Sequence, residues 1–289
     1  MSDTITQTET QNWTKVIEPI GKYIHFSFKE FWHYRDLLAI FIRRNIVSVY
    51  KQTLLGWLWF IINPLISTAL YMFVFGGLAN LSTDGLPQTI FYMSGVLMWS
   101  YFNACFSVTS NFLAGNANLF SKAYFPRLIL PVSGVVSSLV TFAVQGALLI
   151  AIYLYFYWGG VDIHPTVELW ALPLYVTLLA GTAFSWGLIC SALTVKYRDL
   201  DSFIRVGMNL MMYVTPVVYP ISITRTRRFG WVLEANPLSG IFESFRYSIT
   251  GRGTMDWQGI FYCAVCLFIT LIIGLIMFTR AERNFIDTV

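Results

Sequence analysis

Six long stretches with almost no charge alternate with short polar or basic segments along this chain. They run over about 54–78, 88–112, 131–157, 169–193, 204–223 and 258–279. Each offers the roughly 20 apolar residues that an α-helix needs to cross about 30 Å of hydrocarbon. The pattern predicts an all-α polytopic membrane protein with six transmembrane helices. Pro64 lies inside the first stretch and is expected to kink or break that helix. Ahead of the spans, residues 1–22 form a polar tail. Residues 23–53 mix aromatic and aliphatic side chains with Lys29, Arg35, Arg43, Arg44 and Lys51. That mixture reads as an amphipathic helix on the membrane surface, its basic side toward anionic headgroups, rather than an ordinary helical linker. Residues 54–279 are the membrane domain, and 280–289 a short tail.

The segment 224–257 is the longest between spans, and parts of it, such as FGWVLEANPLSGIFESFRY, are apolar. Two short re-entrant helices broken near Asn236 and Pro237 are expected there; a single surface-lying amphipathic helix is the alternative. Lysine and arginine set the orientation. Fourteen of the nineteen fall before the first span, in the 2–3 and 4–5 connections or at the start of the fifth span, and after the last span. Arg225, Arg227, Arg228, Arg246 and Arg252 share the 224–257 loop. Both termini are therefore expected in the cytoplasm. The polar opening MSDTITQTETQNWTK lacks the basic start and apolar core of a secretory leader and is expected to stay there too.

Composition narrows the chemistry. The chain is 56% hydrophobic and 12% charged, far below the charge of a soluble domain. No Asp, Glu or Lys lies within a span, so the buried relay of a proton- or sodium-coupled carrier is missing. His25, His33 and His164 are scattered, and no cluster has metal-ligand spacing. There is no phosphate-binding G-x-x-x-x-G-K-[ST] loop, so no bound cofactor is expected and any ATP must be hydrolysed by a separate subunit. Asp199 and Asp201 suit helix capping or a partner contact better than catalysis. Cys263 and Cys266 form a C-x-x-C, which in a lipid-spanning helix reads as two small apolar residues rather than a redox pair. Small residues recur every four positions in the fourth span, through Gly181 and Ser185 and through Ala183, Gly187 and Ser191. They allow close helix packing, within the chain or between copies. Trp99, Tyr101, Phe102 and Phe106 could line a path and stack on sugar rings, although interfacial aromatic belts explain much of the same pattern. The five loop arginines could meet phosphates of lipid or substrate.

Five stretches, in order, resemble the permease subunit of ABC-2-type exporters, within them the polysaccharide and polyol-phosphate exporters. RRNIVSVYKQTLLGWLWFIINPL carries Arg43, Tyr50, Lys51, Gln52, Leu55, Gly56, Trp59 and Pro64. SKAYFPRLILP carries Lys122, Phe125, Pro126, Arg127 and Pro131. KYRDL carries Tyr197, Arg198 and Asp199. TPVVYP carries Pro216, Tyr219 and Pro220, and NPLSGIFESFR carries Asn236, Pro237 and Arg246. The likeness covers about residues 35–285. Asn45 departs from it, standing where an aspartate or similar residue is common, and the N-terminal extension is longer than in many members.

The resemblance implies an ABC-2 (type V) exporter fold in a bacterial inner membrane: a homodimer docked on two ATP-binding subunits that drives an undecaprenyl-linked glycan across, O-antigen foremost. Capsular polysaccharide, teichoic acid, and a lipid or drug are the alternative substrates; a membrane-embedded glycan-assembly enzyme is the remote alternative. It implies a gate at the amphipathic helix, with Arg43, Arg44, Tyr50, Lys51 and Gln52. ATPase coupling is implied for Lys122, Tyr124, Phe125, Arg127, Tyr197, Arg198 and Asp199. Re-entrant helices, with Arg225, Arg227, Arg228, Asn236, Pro237 and Arg246, are placed at the outer end of the path. Membrane lipids are further partners, and no nucleic acid is expected.

Overall fold

The computed structural model describes residues 32–51, 55–115, 126–197, 199–224 and 230–286. Among them the chain is helical, beginning with α1 (Arg35–Lys51), a 3-10 turn at Gly56–Leu58, α2 (Trp59–Tyr71) and a π-helical continuation at Met72–Leu78. Next come α3 (Gln88–Ser110), the short α4 (Phe112–Gly115) and α5 (Ile129–Trp158). A 3-10 turn at Val167–Ala171 leads into α6 (Leu172–Lys196), followed by α7 (Leu200–Val214) and α8 (Ile221–Thr224). The short α9 (Gly230–Glu234) and α10 (Ser239–Thr250) precede α11 (Trp257–Ile286).

Among the described residues, four helical stretches are long and apolar enough to cross a membrane: Gly56–Leu78, Ile129–Trp158, Val167–Lys196 and Trp257–Ala281. Helix α3 is long and uncharged but carries more polar side chains, and its position explains why that is tolerated. It sits at the centre of the bundle, with α2, α5 and α6 packed around it, and Ile90 through Met98 are all buried. A helix shielded by protein need not be as apolar as one facing lipid. Helix α11 packs along α6 on the far side.

Two expectations change. The stretch 204–223 was expected to be one helix. Instead α7 starts earlier, at Leu200, and stops at Val214, and the chain turns through residues 215–220 before α8. Pro216 and Pro220 bring no N–H donor, and the residue before a proline is pushed out of the α region. Thr215 duly has φ −100° and ψ 143°. The fifteen residues of α7 rise only about 22 Å. The second is narrowed at Pro64: of the expected kink or break, the break is absent, because α2 runs on through the proline, and the irregular turns of this stretch fall at its two ends.

The four cysteines are free thiols. Cys263 is buried and touches Thr182, Sγ to Oγ1 at 3.6 Å. The small residues of α6 also receive an assignment: they pack within the chain. Gly187 faces Thr109 and the Phe106 carbonyl, Gly181 faces Leu267, and Ser185 Oγ lies 2.9 Å from Thr270 Oγ1.

Candidate functional site

The two ends of the bundle are built differently. At one end, the basic helix α1 lies against α5. Phe41 enters a small apolar cluster with Phe112, Leu113, Ile129, Leu130, Leu188 and Phe278, drawn from α1, α4, α5, α6 and α11. Asn45 donates Nδ2–H to Ser133 Oγ at 3.4 Å, a polar tie between α1 and α5. Arg43 and Arg44 stay exposed, with the Arg44 guanidinium 4.8 Å from the Phe41 ring centre. Beside them a groove of about 220 Å³ is lined by Asn45, Ile46, Phe60, Val108, Ser137, Ser138 and Thr141 among others. The side chains of Tyr50 and Lys51, and the whole of Gln52, lie outside the described residues.

The coupling residues expected from the resemblance reach this basic end only in part. Lys122, Tyr124, Phe125 and Arg198 lie outside the described residues. Arg127 is half-buried in the turn that enters α5. Tyr197 is exposed at the end of α6, with Lys196 Nζ 5.1 Å from its ring centre. Asp199 stands exposed just before α7 and makes no side-chain capping bond, whereas Asp201 pairs with Arg205 one turn along.

At the other end, the loops are tied together around the elbow that follows α7. Asn236 closes a turn by accepting the Leu238 N–H at 3.0 Å. Its Nδ2 donates to the Val214 carbonyl at 3.1 Å and to Thr215 Oγ1 at 2.9 Å. The α9–α10 break at Asn236 and Pro237 is thereby fastened to the end of α7. Arg246, on α10, is buried. Its Nη2 donates to the Val217 carbonyl at 2.6 Å, its Nε to Ser94 Oγ at 3.4 Å, and its guanidinium lies 3.9 Å from the Phe91 ring centre. Nη1 has no hydrogen-bond partner among the described residues. Burial lowers the Arg246 pKa to about 10, against the opposing pull of Glu243, Asp84 and Tyr92; at neutral pH the group stays charged. A buried cation persists only where carbonyls, aromatic faces and carboxylates replace its water.

Further ties complete this end. Arg252 donates to the Gly85 carbonyl at 2.6 Å and the Asp162 carbonyl at 3.1 Å. Ser222 Oγ donates to the Asp84 carboxylate, 2.8 and 3.0 Å from its two oxygens. Tyr153 OH donates to the Ile163 carbonyl and Tyr262 OH to the Ala235 carbonyl. Gly251 sits at φ +69° with the His164 carbonyl 2.8 Å from where a Cβ would stand, so this close passage excludes a side chain.

Two sequence assignments are corrected here. The Arg246 guanidinium is buried and bonded through Nη2 to the Val217 carbonyl, and Arg252 donates to the Gly85 and Asp162 carbonyls, so both are committed in part to the backbone rather than standing as bare loop charges. Three of the four aromatics expected to line a path are interior. Tyr101, Phe102 and Phe106 are 3%, 0% and 4% exposed, and Phe102 packs on Trp99, Phe106 and Trp186. Trp99 is half-buried against the same core. Rings enclosed by their own chain cannot stack on a passing sugar. Gly95 escaped the sequence reading, since a glycine in an apolar run carries no mark of its neighbours; a Cβ there would strike the Val217 carbonyl and stand 2.8 Å from Arg246 Nη2.

With several apolar helices around a tied elbow and, among the described residues, no group of three His, Cys, Asp or Glu able to hold a metal, comparison with known proteins decides the class. The sequence profile described as ABC-2 type transporter matches residues 36–250. The chain belongs to this family. It is 27% identical over 253 residues to the O-antigen export system permease protein RfbA of Klebsiella pneumoniae, covering 87% of this chain and 94% of that one. To the protein of the same name from Myxococcus xanthus it is 26% identical over 220 residues, 75% and 82% of the two chains. The polysialic acid transport protein KpsM of Escherichia coli is 20% identical over 246 residues, 85% and 93% of the two. This ABC-2 family member is thus an all-α, polytopic membrane permease related to polysaccharide exporters.

Proposed function

We propose that this ABC-2 permease is the membrane subunit of an ATP-driven exporter that moves a lipid-linked polysaccharide, foremost O-antigen, across a bacterial inner membrane. The likeness to O-antigen export permeases over nearly the whole of both chains carries the reading. In this account α2 with its π turn, α3, α5, α6, α7 with its elbow, and α11 are the six spans. The α9–α10 pair is re-entrant at the outer face, and both termini lie in the cytoplasm. Helix α1 is the gate. The connections around 119–127 and 196–203, with Lys122, Tyr124, Phe125, Arg127, Tyr197, Arg198 and Asp199, receive the push of two ATP-hydrolysing subunits. A second copy of the chain packs against α7, which buries no residue within its own chain and exposes Phe203, Val206, Leu210 and Tyr213. Arg225, Arg227 and Arg228 meet phosphate groups at the outer face.

The test is to purify the full chain from its own membrane, to identify any ATPase subunit that co-purifies, and to identify the bound glycolipid by mass spectrometry. The expected result is a 1:1 ratio of the two subunits, an undecaprenyl-linked glycan, and ATP-dependent export in proteoliposomes. A permease that moves glycan without an ATPase partner would refute the reading. A capsular or teichoic-acid glycan, or a lipid or drug, in the site would correct the substrate and leave the class intact.

A further inference from the structure

We propose that Arg246 is a positioning residue that joins the elbow after α7 to helix α10, so that the two move as one body during export. The function it serves rests on the exporter reading; the joint itself does not.

A helix that ends at a proline leaves its last carbonyls without partners, and an unrestrained break of this kind is where a hinge forms. Here the break is clamped at two points. Asn236 holds the Val214 carbonyl at the end of α7, and Arg246 holds the Val217 carbonyl in the elbow proper. Both donors come from the segment 236–246, so the elbow cannot swing without carrying α10 along or giving up a charge-assisted bond inside the protein. Helix α3 supplies the third wall. Ser94 accepts from Nε, the Phe91 ring lies beneath the guanidinium, and Gly95 leaves the slot that the Val217 carbonyl fills. A side chain kept only for its bulk would need neither the carbonyl bond nor the missing Cβ at Gly95. The clamp therefore turns displacement of α7 into displacement of the α9–α10 pair, rather than letting it dissipate at the two prolines.

Three variants of the full chain separate this role from packing. Arg246→Met keeps the stem and removes the donors, Arg246→Lys keeps one charged donor, and Gly95→Ala keeps the arginine but forces the Val217 carbonyl and Nη2 out of their present places. Hydrogen exchange at the Val217, Val218 and Tyr219 amides reads the clamp. It should quicken by about tenfold or more in the Met and Ala variants, and by less in the Lys variant, in the purified chain. In the complex with the ATPase, export should fall by about tenfold or more while ATP hydrolysis stays within about twofold. Unchanged elbow exchange in both Arg246→Met and Gly95→Ala overturns the proposal, and so does full export despite quickened exchange. Failure to recover an ATPase partner bears on the exporter reading alone.

Discussion

Gly187→Ala probes the contact on which the bundle is built. Gly187 lies on α6 where it crosses α3. A Cβ there would stand 2.5 Å from Thr109 Cβ, 2.9 Å from Thr109 Cγ2 and 3.2 Å from the Phe106 carbonyl oxygen. Carbon atoms in contact prefer about 3.5–4.0 Å, so α3 and α6 must part by about 1 Å. Thr109 cannot turn away, because its Cβ is fixed to the helix. Overpacking of this kind costs about 1–3 kcal/mol, and a chain of this size loses about 2–4 °C of Tm per kcal/mol. A fall of about 2–12 °C is expected in the thermal unfolding of the purified protein, followed by tryptophan fluorescence. Gly146→Ala is the control, since nothing lies within 4 Å of its Cβ; it should be neutral or slightly stabilising through helix propensity. Thr109→Gly removes the clashing atom, so the double variant should be more stable than the sum of the two single effects. A Tm for Gly187→Ala within about 1 °C of wild type, or strict additivity with Thr109→Gly, would refute the close α3–α6 crossing.

Asn236→Ala should cost about 1–3 kcal/mol, because the half-buried end of α7 loses the donor to Val214; urea titration in detergent measures it. Phe41→Ala should detach α1 from its apolar cluster at a cost of about 2–4 kcal/mol, read as faster proteolysis within 35–51. Leu210→Glu, on the exposed face of α7, should leave the single chain folded but reduce self-association, checked by cross-linking in membranes; undiminished cross-linking places the second copy elsewhere.

Much of this fold is legible in the sequence because lipid leaves few solutions for the backbone. Uncharged runs become helices, and the break at Asn236 and Pro237 falls where a side-chain acceptor meets a residue without an N–H. The rest is hidden for physical reasons. Apolar character alone does not separate a ring facing lipid from one facing protein, so Tyr101, Phe102 and Phe106 read as path or belt rather than core. A loop arginine reads as exposed charge, and only the fold reveals that Arg246 is roofed over by Phe91 and the elbow. The small residues of α6 announce close packing but not the partner, which only the positions of Thr109, Leu267 and Thr270 supply. The end of α7 was in plain view at Pro216, yet the run of apolar residues beyond it carried the expected span too far.

Five of the ties at the elbow end share one property. Arg246, Arg252, Asn236, Tyr153 and Tyr262 all donate to main-chain carbonyls. Every residue type supplies the same carbonyl, so these five bonds are written on the donor side alone. Evolution can therefore rewrite the side chains at Val214, Val217, Ile163 and Ala235 without losing the bond, provided the backbone keeps its course. Substitution records across relatives should then show a constraint at each of these donors with no matching column at the carbonyl residue, and methods that infer contacts from paired changes will be blind to these five bonds.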